Sequence, residues 1–228
     1  MLFPCGPSLP AGVFVVWVRN FALCGLYSSA QCCNFAATKI DYPMTEIEKL
    51  ESGLLYNASQ DPDLLDDIRR CEKYCYDYNH TSPSDVSRLT ALLVHLLGST
   101  GERVRIIQPF KCDYGYNVHV GEDFFANCNL VILDAARVIF GNHVFVGPNC
   151  GFYTAAHPLD IPQRNQGLEF AKPIVVGNDV WIGGNVCVMP GVTIGDGCVI
   201  GAGSVVTHDI PPHTLAVGNP CRPVRSLE

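Results

Sequence analysis

The chain has 228 residues, 48% of them hydrophobic and 16% charged, enough apolar material for one large folded domain and unlike a disordered composition. Fifteen Lys and Arg against twenty-two Asp and Glu give a formal charge of −7, so no basic face exists for a phosphate backbone and nucleic acid is excluded as a partner. Twelve cysteines stand without one Cys-x-x-Cys pair, which argues against a zinc site and for reduced core cysteines in a cytosolic protein.

Residues 1–43 carry an apolar run from Val13 to Val18, an interruption at Arg19-Asn20, a second run from Phe21 to Tyr27, and the vicinal pair Cys32-Cys33. Neither run is long enough to span a bilayer, and no Lys or Arg precedes Val13 as a secretory signal requires. This segment is expected to be a poorly ordered extension, with Met44 looking like a natural start. The triplets Asn57-Ala-Ser59 and Asn79-His-Thr81 match the glycosylation acceptor pattern, which matters only in a secreted chain.

From Met44 the sequence predicts helices. Thr45 and Glu48 are spaced as a capping box, and Gly53 ends the short helix they open. Asp61-Pro62-Asp63 supplies a cap, an N1 proline and an acid at the positive end of the dipole, ahead of a helix reaching about Tyr78. A third helix starts at Ser82-Pro83-Ser84-Asp85 and places Val86, Leu89, Leu92, Leu93, Leu96 and Leu97 on one face up to Gly98. Residues 44–98 are therefore expected to form a helical cap.

After Gly98 the period changes to six. Aliphatic residues stand at Ile174, Val176, Val180, Ile182, Val186, Val188, Val192, Ile194, Ile200 and Val206, with Cys198 replacing one of the series. Within a unit the two apolar positions are two apart, as the inward side of a short strand requires. The corner triplets Gly177-Asn-Asp, Gly183-Gly-Asn, Gly195-Asp-Gly and Gly201-Ala-Gly tolerate positive φ. The same rhythm runs through Val118, Val120, Val138, Phe140, Val144 and Val146, with a register shift near Asp134-Ala-Ala-Arg137. Such units turn corners of a coil, three to a triangle, and about eighteen residues per coil leave room for about four coils over residues 99–228. The predicted fold is mainly β: a left-handed parallel β-helix of hexapeptide repeats with an N-terminal helical cap and a C-terminal tail.

The rhythm breaks between Phe152 and Ile174, where the segment from Tyr153 to Pro173 must project from the rod, and such loops are where sites are built. Here the chain resembles the maltose and galactoside O-acetyltransferases, a family that includes nodulation acetyltransferases. The resemblance runs from about Met44 to Leu227. It rests on Cys-Asp-Tyr-Gly-Tyr-Asn at 112–117, Phe-Phe-Ala-Asn-Cys-Asn at 124–129, Tyr-Thr-Ala-Ala-His-Pro-Leu-Asp at 153–160, Val-Trp-Ile-Gly-Gly at 180–184 and Val-Gly-Asn-Pro-Cys-Arg at 217–222.

The resemblance implies an acetyl-CoA-dependent O-acetyltransferase acting on a mono- or disaccharide by direct transfer, without an acyl-enzyme and without a metal. The family's catalytic histidine falls on His157, and a free imidazole with a pKa of about 6.5 suits removal of a proton from a sugar hydroxyl. By the same resemblance the Gly184 backbone N–H receives the oxyanion, although the family often has serine there; a backbone donor survives that change. Asn127 matches a family asparagine beside the reacting hydroxyl, and Asp113 a polar residue lining the acceptor pocket. An acid used by the galactoside branch falls on or near Ala58, which opens the question of the acceptor. For the coenzyme, the resemblance assigns Ala202 and Thr207 to the pantetheine arm and Arg222 and Arg225 to the phosphates, a role that suits the arginine fork.

The family also implies a homotrimer with sites shared between neighbours, while the reduced cysteines point to the cytoplasm and the short apolar runs to no membrane contact. Two alternatives stand beside this reading: an acetyltransferase of the same fold acting on a xenobiotic hydroxyl, and a catalytically silent binding protein. A rod-shaped zinc hydratase needs three histidines facing one point, and the spacing of His119, His143 and His157 does not offer them.

Overall fold

The computed structural model describes residues 43–228. The expectation of a poorly ordered extension therefore lies, Pro43 aside, outside the described residues.

The helices begin where their caps predict. In α1 (Glu46–Glu51) the Thr45 hydroxyl accepts from the Glu48 N–H and the Glu48 carboxylate accepts from the Thr45 N–H, and Gly53 leaves the helix at φ +69°. Asp61 accepts from the Asp63 and Leu64 N–H groups at the head of α2 (Pro62–Asn79), and Asp85 does the same for Arg88 in α3 (Val86–Leu96). The apolar face of α3 is shorter than its sequence suggests: Leu93, Leu96 and Leu97 are buried, but Val86 in the first turn is 66% exposed. From α2, Cys71, Cys75 and Tyr78 face the core, and the Tyr78 hydroxyl donates to the Ile106 carbonyl. Asn79 closes the contact by donating to the Phe110 carbonyl and accepting from its N–H. Asn57 is buried and donates to the Gln166 carbonyl, so both glycosylation triplets have their asparagine engaged in the fold.

Three parallel sheets form the faces of a prism. The first holds Arg105–Ile106, Phe125–Ala126, Phe145–Val146, Trp181–Ile182, Val199–Ile200 and Thr214–Gly218, closed by the antiparallel strand Cys221–Ser226. The second holds Phe110–Cys112, Leu130–Leu133, Gly151–Tyr153, Cys187–Val188 and Val205–Val206. The third holds Val118–Val120, Val138–Phe140, Ile174–Val176 and Thr193–Ile194. The chain visits third, first and second face in turn, coil after coil, and the whole is a left-handed β-helix. It has about six turns, not the four expected. The extra turns lie at the ends: Ser99 already bridges to His119, and Ile210 and Thr214–Gly218 continue past Val206 where the six-residue rhythm is no longer readable.

Every aliphatic residue of the hexapeptide series is buried, and Phe140 packs between Phe124, tilted against it, and Phe152, edge-on to it, each with ring centroids 4.9 Å apart. The corner glycines divide into two kinds. Positive φ falls on the third residue of each triplet, as at Asp179 (57°) and Asn185 (57°), whereas Gly183 and Gly147 are required by close approach of the next coil. A Cβ on Gly147 would stand 2.5 Å from the Gly184 nitrogen, and one on Gly183 2.6 Å from the Ala202 nitrogen. At the register shift the buried Asp134 carboxylate accepts from the N–H groups of Asp113, Tyr114 and Gly115, which holds the irregular corner together.

Candidate active site

The coil opens after the second-face strand Gly151–Tyr153. Ala155–Ala156 and Phe170–Ala171 pair antiparallel as the base of a projecting arm, and Asp160 caps a short helix, α4 (Ile161–Asn165), near its tip. The arm is strapped to the cap: Tyr56 and Glu169 exchange backbone hydrogen bonds, and the Tyr56 hydroxyl donates to the Glu169 carboxylate at 3.1 Å.

His157 stands directly after the arm's first strand with half of its side chain exposed. Its Nδ1 lies 2.9 Å from the Leu168 carbonyl oxygen. A carbonyl can only accept, so Nδ1 carries the proton and Nε2 presents a lone pair. Nε2 is 3.9 Å from Glu169 Oε1. The ring is thus oriented by the returning limb of the arm, just before its second strand, and an imidazolium formed there faces a carboxylate. Sequence reading passed over Glu169; its only signal was an acid within the inserted segment.

Asp113 follows the second-face strand Phe110–Cys112 and shares this corner. Burial foremost, then the Asp134 carboxylate, push its acid up to about 6, with Lys111 opposing and Glu169 adding to the rise. Burial and the Glu169 charge also push the Tyr56 hydroxyl well above its ordinary range. Asp113 and Tyr56 are thus weakly hydrated groups that feel the Glu169 carboxylate, while His157 on the other side of Glu169 remains half exposed.

Asn127, Gly184 and Ala202 occupy the next edge, where the first face turns into the second. Asn127 accepts from the Cys128 N–H at 2.8 Å and, with Phe125, Phe145, Gly147 and Trp181, lines a cavity of about 370 Å³. Gly184 and Ala202 follow in the coils beyond it. Thr207 is exposed after Val205–Val206, its hydroxyl 2.9 Å from His208 Nδ1. Arg222 and Arg225 are exposed on Cys221–Ser226, and among the described residues neither pairs with a carboxylate. His157 and Asp113 stand after second-face strands on one edge of the prism, and Asn127, Gly184 and Ala202 after first-face strands on another. His119 bonds to Ser99, and His143 sits between Asp123 and Asp179, so neither joins His157 in a three-histidine centre.

Residues 49–101 match the maltose acetyltransferase hexapeptide capping motif, and residues 173–208 match six repeats of the bacterial transferase hexapeptide. The acetyltransferase-type protein YJL218W of Saccharomyces cerevisiae is 47% identical over 81% of this chain and 94% of its own. A maltose O-acetyltransferase structure from Clostridium difficile 630 is 47% identical with a TM-score of 0.80, covering 81% of this chain and 98% of that one. A galactoside acetyltransferase in complex with coenzyme A is 38% identical with a TM-score of 0.79, covering 81% and 92%.

Proposed function

The chain belongs to the maltose and galactoside acetyltransferase family of hexapeptide-repeat enzymes, and from that membership we propose that it transfers acetyl from acetyl-CoA to a hydroxyl of a mono- or disaccharide by direct attack in a ternary complex. The observation that carries the reading is His157, its Nδ1 committed to the Leu168 carbonyl and its Nε2 open beside Glu169.

The acceptor hydroxyl, oriented by Asn127 and by Asp113 accepting from a neighbouring sugar hydroxyl, gives its proton to His157 Nε2 as its oxygen attacks the thioester carbonyl. Glu169 offsets the charge of the imidazolium that results. The Gly184 N–H donates to the tetrahedral oxyanion, a contact that a preorganised backbone group provides without side-chain reorganisation. Collapse of the intermediate breaks the C–S bond, and the imidazolium returns the proton to the departing CoA thiolate. The edge at Gly184 and Ala202 carries only small side chains, which lets a narrow pantetheine arm lie along it towards Arg222 and Arg225, with Thr207, which follows a second-face strand and so stands on the His157 edge, meeting the arm from the neighbouring copy. No metal enters this sequence.

Because the two half-sites lie on different edges, the complete site is formed between copies in a homotrimer, the His157 edge of one copy facing the Asn127 edge of the next. Leu159 on the arm is 93% exposed and Phe145 and Trp181 on the first face 51% and 59%; apposed copies would cover such surfaces. A second reading has its own observation: Ala58, which packs against an apolar cluster with Tyr56 and Leu64, supplies no carboxylate for a sugar hydroxyl, so a less polar xenobiotic hydroxyl is the alternative acceptor. Thiol release from acetyl-CoA measured across glucosides, galactosides, maltose and hydroxylated antibiotics tests both. Higher kcat/KM on a saccharide supports the proposal. Turnover of antibiotics alone selects the second reading, and no acceptor-dependent release on any of them returns the chain to a silent binding protein.

A further inference from the structure

Away from the acetyl-transfer residues, three cysteines converge inside the molecule. Cys71 and Cys75 are one turn apart on the inner side of α2, and the second-face strand Phe110–Cys112 brings Cys112 against both. The Sγ atoms of Cys71 and Cys112 are 3.5 Å apart, those of Cys75 and Cys112 3.8 Å, and all three lie within 4.8 Å of one another. The residues are 1%, 6% and 1% exposed. A point equidistant from the three sulfurs is about 2.1–2.4 Å from each, which spans a metal–thiolate bond of about 2.3 Å. A disulfide would use two of these thiols and strand the third; a metal uses all three. Cys71 also borders a cavity of about 160 Å³, shared with Arg70, Tyr74 and His95.

We propose that Cys71, Cys75 and Cys112 form a binding site for a soft monovalent ion, Cu⁺, at the seam between the helical cap and the first coils. Donor type and number decide the ion. Three sulfurs select a thiophilic metal, and structural Zn²⁺ wants a fourth ligand, which no other His, Cys, Asp or Glu joins to this cluster among the described residues. Each thiol that ligates as a thiolate exchanges its S–H proton, released to solvent, for an S–Cu bond; no electron moves. Bound in this way the ion ties α2 to the strand at 110–112 and stabilises the folded chain relative to an unfolded one whose thiols are far apart.

The test uses the full chain, reduced and anaerobic, titrated with Cu⁺ held by a chromophoric chelator, beside the Cys71→Ala and Cys75→Ala variants. The other cysteines make the difference between proteins the quantity to read. The wild type is expected to take one Cu⁺ per chain more than either variant, to show three sulfur neighbours at that ion by X-ray absorption, and to gain several degrees in Tm that neither variant gains. Retained acetyl-transfer activity identifies a folded variant, and two different cysteines guard against one that fails to fold. Equal Cu⁺ uptake by wild type and both folded variants overturns the site, as does a two-sulfur environment for the extra ion. Displacement of the bound Cu⁺ by equimolar Zn²⁺ overturns the choice of ion.

Discussion

At the scale of the residue, His157 and Glu169 are separable by experiment. His157→Ala removes the base and is expected to lower kcat at least about a hundredfold with acetyl-CoA affinity nearly unchanged. Glu169→Gln keeps the shape and removes the charge facing the imidazolium, so kcat should fall about tenfold with a smaller change in KM. Steady-state kinetics on both variants check this; more than a tenth of wild-type kcat in His157→Ala would remove it as the base. Asp113 gives a prediction of opposite sign for stability and activity. Its folded pKa of about 6 lies above the unfolded value of about 3.9, so the partly buried carboxyl group is neutral and harmless below pH 4. Its charged form costs stability increasingly between pH 4 and 6, and by a constant amount above that. Asp113→Asn should therefore raise Tm at pH 8, with the gain shrinking to nothing by pH 4, while acetyl transfer weakens. Thermal melts across that range decide it, and a gain that is largest at low pH would contradict the assignment.

Among the elements, the corners show how one residue type answers two demands. Gly147→Ala drives a Cβ into the Gly184 nitrogen at 2.5 Å, backbone against backbone, where no flexible group can yield. Gly203 has φ +74° and nothing within 4 Å of its Cβ position, so Gly203→Ala meets only the left-handed backbone penalty of about 1–2 kcal/mol. Denaturant unfolding should show Gly147→Ala as the more destabilised of the two. Activity should separate them further, because only Gly147→Ala displaces the proposed oxyanion donor. Equal losses would mean that the coils slide apart more easily than their spacing suggests. The projecting arm is a different kind of element: its order comes from the Tyr56–Glu169 ladder to the cap, so the cap helps to hold the segment that carries His157.

For the whole molecule, the consequence of two half-sites on separate edges is intersubunit complementation. Random co-assembly of His157→Ala and Asn127→Ala chains should restore about a quarter of all sites, one of the three in each mixed trimer, because only one interface there pairs an intact His157 edge with an intact Asn127 edge. Each parent alone should remain nearly inactive. Assay after co-refolding, with the trimer confirmed by sedimentation, reads the result. Mixed trimers no more active than their parents, or a fully active monomer, would place both halves of the site within one chain.

What was legible in the sequence is local or periodic. The caps at Thr45, Asp61 and Asp85 act within three residues, so the helices they open are written in their own neighbourhood. The two-residue alternation within a six-residue repeat specifies the prism wherever valine and isoleucine keep the beat, and it falls silent at the first and last coils, where the ladder continues on less regular residues. His157 was found through the matched blocks, but its neighbours were not. Glu169 reaches it because the arm folds back as a hairpin and Tyr56 pins that hairpin from 113 residues away. The edge on which each site residue stands depends on how many strands separate it from the next corner, a count that the inserted segment interrupts. Cys71 and Cys75 show their one-turn spacing in the sequence. Cys112 joins them only because α2 packs on the second face, and a contact across 37 residues depends on packing of the whole chain, which no local pattern encodes.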